Sequence, residues 1–511
     1  MAPGLQGGRG LAASSVIPGR ANVPREARRD GAIPESRGNG TCLDSGFALR
    51  APRNDDGLET AQAMQQTQAI WIRDPLAILA EGAERGIVVQ NGKIVELVPK
   101  GGRPVTSAAA FDAGGHVVVP GLINTHHHFY QTLTRAVPAA LDRELFPWLQ
   151  ALYPVWARLT PENLELAVTV AMLELLLSGC TTTTDHHYVF PAGLENAIDI
   201  EVAATKRLGL RALLTRGSMN RSQRDGGLPP DSVVQDEDTI LADSERLVAT
   251  HHQRHEDAMV QIALAPCSPF SVTSSLMRAT AALAERLDVR LHTHLAETDD
   301  ENRFCEQMQG CRPLDYLEQC GWLNARTWLA HGIHFNAEEM KRLGQAGTTI
   351  SHCACSNQAL ASGCCPVCDM EEAGVGIGLG VDGSASNDAS NLMQEVRAAF
   401  LLQRARYGVG RVSHRDALRW ATRGSAACIG RPELGEIAVG KMADLALFRL
   451  DELRFSGHGD PLAALVLCGA HRADRVMVGG TWVVVDGAIP GLDVPDLIRR
   501  HSAAARAMQT G

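Results

Sequence analysis

Four short apolar runs in this sequence end in residues that can bind a metal or move a proton. His126, His127 and His128 follow Leu122-Ile123, and His294 and Glu297 follow Arg290-Leu-His-Thr. His331 follows Trp328-Leu-Ala, and Asp382 follows Gly378-Leu-Gly-Val. One such histidine alone is most simply a packed imidazole; four run ends marked in this way point to a shared site. His126 and His128 are spaced i, i+2, so on an extended chain they project to one face. With His294 and Asp382 they offer three nitrogens and one oxygen, a donor set suited to Zn2+ or Fe2+ with a position left for water. His127 points the other way and is expected to be structural. Glu297, three residues beyond His294, can reach the open position as a proton carrier, and His331 can hydrogen-bond the water or a developing oxyanion.

Residues so far apart can meet only if their runs are neighbouring strands. Between about 118 and 435 the chain alternates apolar, β-branched runs with longer helical patterns. The runs are Val117–Ile123, Cys180–Thr184, Arg211–Thr215, Val260–Ala265, Val289–Leu295, Thr327–Ala330, Thr348–Ser351 and Val375–Val381. Eight βα units over this length predict a closed (β/α)8 TIM-like barrel, whose active face lies at the carboxyl ends of the strands. A doubly wound open sheet is the alternative, but no G-x-G-x-x-G opens a helix after the first strand. On either side the texture is strand-rich: Gly86–Gln90 and Lys93–Leu97 joined by Asn91-Gly92, a strong hairpin signal, then Asp444–Phe448 and Val476–Val485. These flanks predict one small β-sandwich built from both chain ends, residues 64–119 and 436–490, around a barrel at 120–435. A helix or tail follows at 491–511.

Residues 1–63 are rich in glycine, proline and arginine, lack lysine and show no periodicity. They are expected to form a disordered or non-native extension, with a transit peptide as the alternative and Met64 as a candidate start. The net charge of -10 disfavours a nucleic-acid partner. No apolar run reaches the roughly 18 residues of a membrane span. The 13 cysteines, an odd number without a secretory signal, do not form a disulfide pattern. The expected setting is therefore cytoplasmic, without nucleic acid or membrane. Cys353, Cys355, Cys364, Cys365 and Cys368 invite a second metal site, but their spacing does not match paired C-x2-C knuckles.

Pro120-Gly-Leu-Ile-Asn-Thr-His-His-His128, His294-Leu-Ala-Glu297, Ala330-His331 and Gly380-Val-Asp-Gly-Ser-Ala-Ser-Asn387 resemble the amidohydrolase superfamily in its cytosine-deaminase/chlorohydrolase branch. Gly435-Glu-Ile-Ala-Val-Gly-Lys-Met-Ala-Asp444 is similar to the segment that returns from barrel to β-domain in that family. The resemblance covers roughly Trp71 to Pro490. It implies one metal on His126, His128, His294 and Asp382, with Glu297, His331 and Asp382 catalytic. Two-metal members bridge their ions with a carbamylated lysine at the end of the fourth strand. Here that strand ends Ala263-Leu-Ala-Pro-Cys-Ser-Pro269, and no lysine lies between Lys206 and Lys341, so a single ion is expected.

Within the branch the likeness is to 8-oxoguanine deaminases, through His126–Arg135, Thr181–Tyr188, Arg216-Gly-Ser-Met219 and Gly227-Leu-Pro-Pro-Asp231. At His352-Cys-Ala-Cys-Ser-Asn357 the sequence departs from the branch pattern of Pro and Ser between the His and the Ser-Asn, which bears on the ring and not on the reaction. The implied activity is hydrolytic deamination of a purine-like ring, 8-oxoguanine to urate and ammonia, by a water activated on one Zn2+ or Fe2+. A guanine deaminase or an s-triazine amino- or chlorohydrolase would use the same constellation; a non-catalytic barrel scaffold is the reading from another class. For substrate contacts, Gln131 offers a donor and an acceptor to a lactam edge. Trp148, His186, His187 and Arg216 can also face the pocket, although Trp148 equally fits the buried face of a helix with Leu145, Leu149 and Leu152. The partner is then a small heterocycle, and a homo-oligomer is expected because dimers are common in this branch.

Overall fold

The computed structural model describes residues 68–510; the expected N-terminal extension, residues 1–63, lies outside the described residues. Eight parallel strands close into a barrel in sequential order. They are β1 (Leu122–Asn124), β2 (Cys180–His187), β3 (Arg211–Ser218), β4 (Val260–Pro266), β5 (Leu291–Leu295), β6 (Thr327–His331), β7 (Thr349–His352) and β8 (Ile377–Leu379). Closure comes from the pairing of Leu379 with Asn124, which removes the open-sheet alternative. Nearly every barrel strand residue is buried, as expected of parallel strands covered by helices.

Both flanks of the barrel enter one β-domain of two sheets. One sheet orders Lys93–Leu97, Gly86–Gln90, Ile70–Arg73 and Ala109–Asp112. The Asn91-Gly92 turn between its first two strands has φ of 51° and 75°, the left-handed pair that a tight hairpin requires. In the other sheet Leu445–Arg449, from the C-terminal part, lies antiparallel to His116–Pro120, from the N-terminal part. Ile72, Ile87, Ile94, Val118, Leu445, Leu447 and Met477 form the core between the sheets.

Two sequence runs divide differently from their apolar pattern. Val117–Ile123 reads as one strand but serves two sheets: His116–Pro120 belongs to the β-domain and β1 begins at Leu122. Gly121 makes the transition, because a Cβ there would overlap the Thr181 side chain. Val476–Val485 is likewise a hairpin, folded at Gly479-Gly480 with φ of 52° and 82°.

A buried ion pair fastens barrel to β-domain. Arg211 at the start of β3 donates through Nε and Nη2 to Asp444, at 3.2 and 3.1 Å. The chain ends in a helix, Val494–Thr510, that packs near the residues after β1: the His501 ring meets Thr132 Oγ1 at 3.1 Å, and Gln509 Nε2 donates to the Leu133 carbonyl at 2.7 Å. Among the described residues no helix is long and apolar enough to cross a membrane, and every cysteine is free.

Candidate active site

The carboxyl ends of β1, β5, β6 and β8 deliver the expected side chains to one place. On β5, His292 and His294 alternate with Thr293 and both turn inward. Past β5 the chain reverses at Ala296, φ 55°, and presents Glu297. His331 ends β6 with φ 74°, and Asp382 follows β8 with φ 65°. Left-handed backbone at non-glycine residues is costly and concentrates at functional sites.

Hydrogen-bond partners fix the protons on the histidines. His128 Nδ1 faces the His186 carbonyl at 2.8 Å, and His294 Nδ1 faces the Cys267 carbonyl at 2.7 Å. A carbonyl only accepts, so both Nδ1 atoms carry hydrogen and both Nε2 atoms present lone pairs. Those Nε2 atoms are 3.2 Å apart. Asp382 Oδ1 lies 3.2 Å from His128 Nε2 and 3.4 Å from His126 Nε2, a buried atom with no hydrogen bond. Acceptors turned on one another without a proton between them repel in a dry interior. A cation among them removes that repulsion, so this donor set fits a divalent metal, and His126, His128 and Asp382 form one of the groups with the geometry to hold an ion. Burial holds the His126 pKa well below its usual value and takes His294 down to about 3, so these rings are neutral, as ligands must be. Ser356 Oγ donates to Asp382 Oδ2 and the Gly383 N–H to Oδ1, both at 2.6 Å.

Beside this cluster stand Glu297 and His331. Asn357 Nδ2 donates to His331 Nδ1 at 2.9 Å, which leaves hydrogen on His331 Nε2, 3.5 Å from Glu297 Oε2. Burial lowers the His331 pKa to about 4. Burial, then the nearby Asp382 and Glu301 carboxylates, pushes the Glu297 pKa well up, so Glu297 is disposed to hold a proton. Glu301 accepts from the Ala296 and Glu297 N–H groups at 2.8 and 3.1 Å and so shapes the turn that presents Glu297.

A cavity opens over these groups. His128, His294, His331, Asp382 and Glu297 line its floor, and Gln131 and Ser386 its side. Its wall is apolar and aromatic: Leu145, Trp148, Leu149 and Tyr153 from helix α1 (Leu145–Trp156), with Tyr188 and Phe270. Trp148 thus lines the cavity while also lying on the buried face of its helix.

Three residues expected at the pocket, Arg216, His186 and His187, are placed elsewhere. Arg216 turns away: its guanidinium donates to Asp243 at 2.6 Å and to Gln235 at 2.7 Å, and it stacks 4.0 Å over Phe190. The charge that suggested a substrate contact is consumed within the helix layer. His186 packs behind the floor, stacked on His294 at 4.8 Å and donating to the Ala265 carbonyl. His187 bonds the Val189 carbonyl, and the His127 ring faces Ser390, so both are engaged in the scaffold. The cysteine group has diverging partners: the Cys355 N–H donates to Glu395, Cys364 Sγ accepts from Gln403, and Cys365 approaches Met370. Sequence reasoning missed His292, Glu301, Ser356 and Asn357. Only Ser356 and Asn357 carried a signal, as the end of the His352–Asn357 motif.

The chain is similar to known proteins over most of its length. The pattern of the amidohydrolase family matches residues 117–483. The chain is 64% identical over 445 residues to 8-oxoguanine deaminase of Pseudomonas aeruginosa, covering 86% of this chain and 99% of that protein. It is 37% identical to isoxanthopterin deaminase of an unknown prokaryotic organism, over 78% of this chain and 86% of that one. Among solved structures, atrazine chlorohydrolase TrzN from Arthrobacter aurescens TC1, complexed with zinc, superposes with a TM-score of 0.80 at 32% identity, covering 85% of this chain and all of that one.

Proposed function

The chain belongs to the amidohydrolase family, and we propose that it hydrolyses 8-oxoguanine to urate and ammonia with one divalent metal ion, Zn2+ or alternatively Fe2+. The observation that carries the reaction type is the convergence of unprotonated His126, His128 and His294 Nε2 atoms and Asp382 Oδ1 beside the Glu297–His331 pair. The 64% identity to 8-oxoguanine deaminase supports the choice of ring.

His126, His128, His294 and Asp382 would hold the metal. When bound, such an ion supplies Lewis-acid activation of water at neutral pH, lowering its pKa to roughly 7. The chain's own groups do the rest. The apolar wall around Trp148 and Phe270 takes up a flat, neutral heterocycle and excludes bulk water. The Gln131 carboxamide pairs with the lactam edge through one donor and one acceptor. Asp382 receives a proton from the attacking water as its oxygen bonds to C2. Glu297 gives its proton to the adjacent ring nitrogen and relays a proton to the leaving amine, the role of a non-ligand Glu in base deaminases. His331 donates its Nε2 hydrogen to the oxygen developing charge at C2. One water enters and one ammonia leaves.

The test is an ammonia-release panel with 8-oxoguanine, guanine, isocytosine and hydroxyatrazine, following urate by absorbance. Ammonia and urate in equal amounts from 8-oxoguanine are expected. Release from guanine or the triazine alone would overturn the choice of ring.

A further inference from the structure

Strand β5 carries two inward histidines, yet only His294 reaches the cavity. His292 lies one pleat deeper, fully buried beneath His126. Its Nε2 is 2.8 Å from His126 Nδ1, and its Nδ1 is 2.9 Å from the Trp328 carbonyl. The proton positions follow in order. The Trp328 carbonyl only accepts, so hydrogen sits on His292 Nδ1. A neutral imidazole carries one hydrogen, and with it on Nδ1 the Nε2 facing His126 is a lone pair. His126 must then carry hydrogen on Nδ1 and present its own lone pair on Nε2, the atom facing Asp382. No other hydrogen bond of the His126 ring imposes that choice.

Trp328 braces the arrangement twice. Its indole stacks on His292 with 4.4 Å between ring centres and 15° between planes. Its Nε1–H donates at 3.0 Å to the carbonyl of Thr125, the residue before His126. His292 orientation and the His126 backbone therefore share one rigid support.

We propose that His292 is a positioning residue that fixes the tautomer and ring direction of His126 for metal capture. This rests on the reading of His126 as a metal ligand. Partners of this kind govern metal affinity by roughly 10- to 100-fold. His292→Phe keeps the stacking on Trp328 and removes the acceptor. His292→Asn keeps a donor near the Trp328 carbonyl but is too short to accept from His126. His292→Gln places a carboxamide oxygen near the lost Nε2 and restores an acceptor.

The experiment measures the zinc dissociation constant of each full-length variant by competition with a chelating dye, with unfolding midpoints of the metal-free proteins recorded alongside. Phe and Asn are expected to weaken zinc binding by about 10- to 100-fold, with Gln close to the unsubstituted chain and the metal-free midpoints similar. Equal affinities in all four proteins would overturn the proposal, as would a Gln variant as weak as Asn. If the unsubstituted chain binds no zinc, the reading of the site as a metal centre fails instead. Should the Phe variant not fold, the contrast of Asn with Gln decides.

Discussion

Gly383 follows Asp382 and touches the side chain proposed to read the substrate's lactam edge. Its φ lies outside the left-handed region, so alanine fits the backbone. A Cβ there, however, would overlap the Gln131 carboxamide: Oε1 and Cδ fall deep inside contact distance, and Nε2 stands 2.9 Å away against about 3.4 Å for ordinary contact. Gln131 is buried, so its carboxamide can yield only by swinging out of its place in the cavity wall. Gly383→Ala therefore removes the Gln131 contact without touching Gln131 itself.

A donor and an acceptor of neutral type are lost, each contributing about 0.5–1.5 kcal/mol. Together they amount to about 1–3 kcal/mol, or roughly 5- to 160-fold in kcat/KM. Zinc content should be unchanged, because the Gly383 N–H still donates to Asp382. Stability should change little, since alanine at a compatible glycine position contributes about 0.4–1 kcal/mol through the unfolded chain, offsetting the local crowding. Steady-state urate formation from 8-oxoguanine is the assay, run on Gly383→Ala, Gln131→Ala and the double variant. The two single losses should be similar and the double variant no worse than either, because both act on one contact. Losses that multiply in the double variant, or an unchanged kcat/KM in Gly383→Ala, would refute the assignment of Gln131.

Glu297→Gln keeps the shape of the side chain but cannot carry a proton; kcat should fall by about 10²–10⁴-fold with zinc content intact, and near-normal turnover would remove Glu297 from the scheme. Glu201, fully buried near Asp185 and His187, has its carboxyl pKa pushed by burial up to about 8 from 4.5. The fold therefore holds a proton that the unfolded chain releases above pH 4.5. Stability from this group is lost as pH rises toward 8, at up to about 1.4 kcal/mol per pH unit. Glu201→Gln should flatten that decline in thermal unfolding between pH 5 and 8, and an unaltered slope would count against it. Asp444→Asn leaves the Arg211 guanidinium buried without its counter-ion and should cost about 3–5 kcal/mol in chemical denaturation. Replacing both by apolar residues should recover part of that loss; no recovery would mean the pair is not the source.

Much of the barrel and the floor of the site was legible because a parallel strand buried on both sides is a short apolar run, and its exit is where polar chemistry can stand. His126, His128, His294, His331 and Asp382 carried that signature in their immediate neighbours. Arg216 carried it too, at the end of the third run, and turns the other way. Its fate is decided by Asp243, Gln235 and Phe190, and nothing in the local sequence announces those partners. The same limit applies to glycines. Gly121 divides one apolar run between two sheets because Thr181 crowds it, and Gly383 is required by Gln131, far away in the chain. His292 and His294 show the limit most directly. They share a strand, a residue type and an inward direction, so a pattern of two cannot rank them. Depth in the barrel does: His294 meets the lone pairs at the cavity floor, whereas His292 meets the back of His126 and the Trp328 carbonyl. Ligand types and strand exits are local properties that spacing can encode. Which nitrogen carries the proton depends on contacts between strands distant in sequence, and the fitness of the site for a metal is settled there.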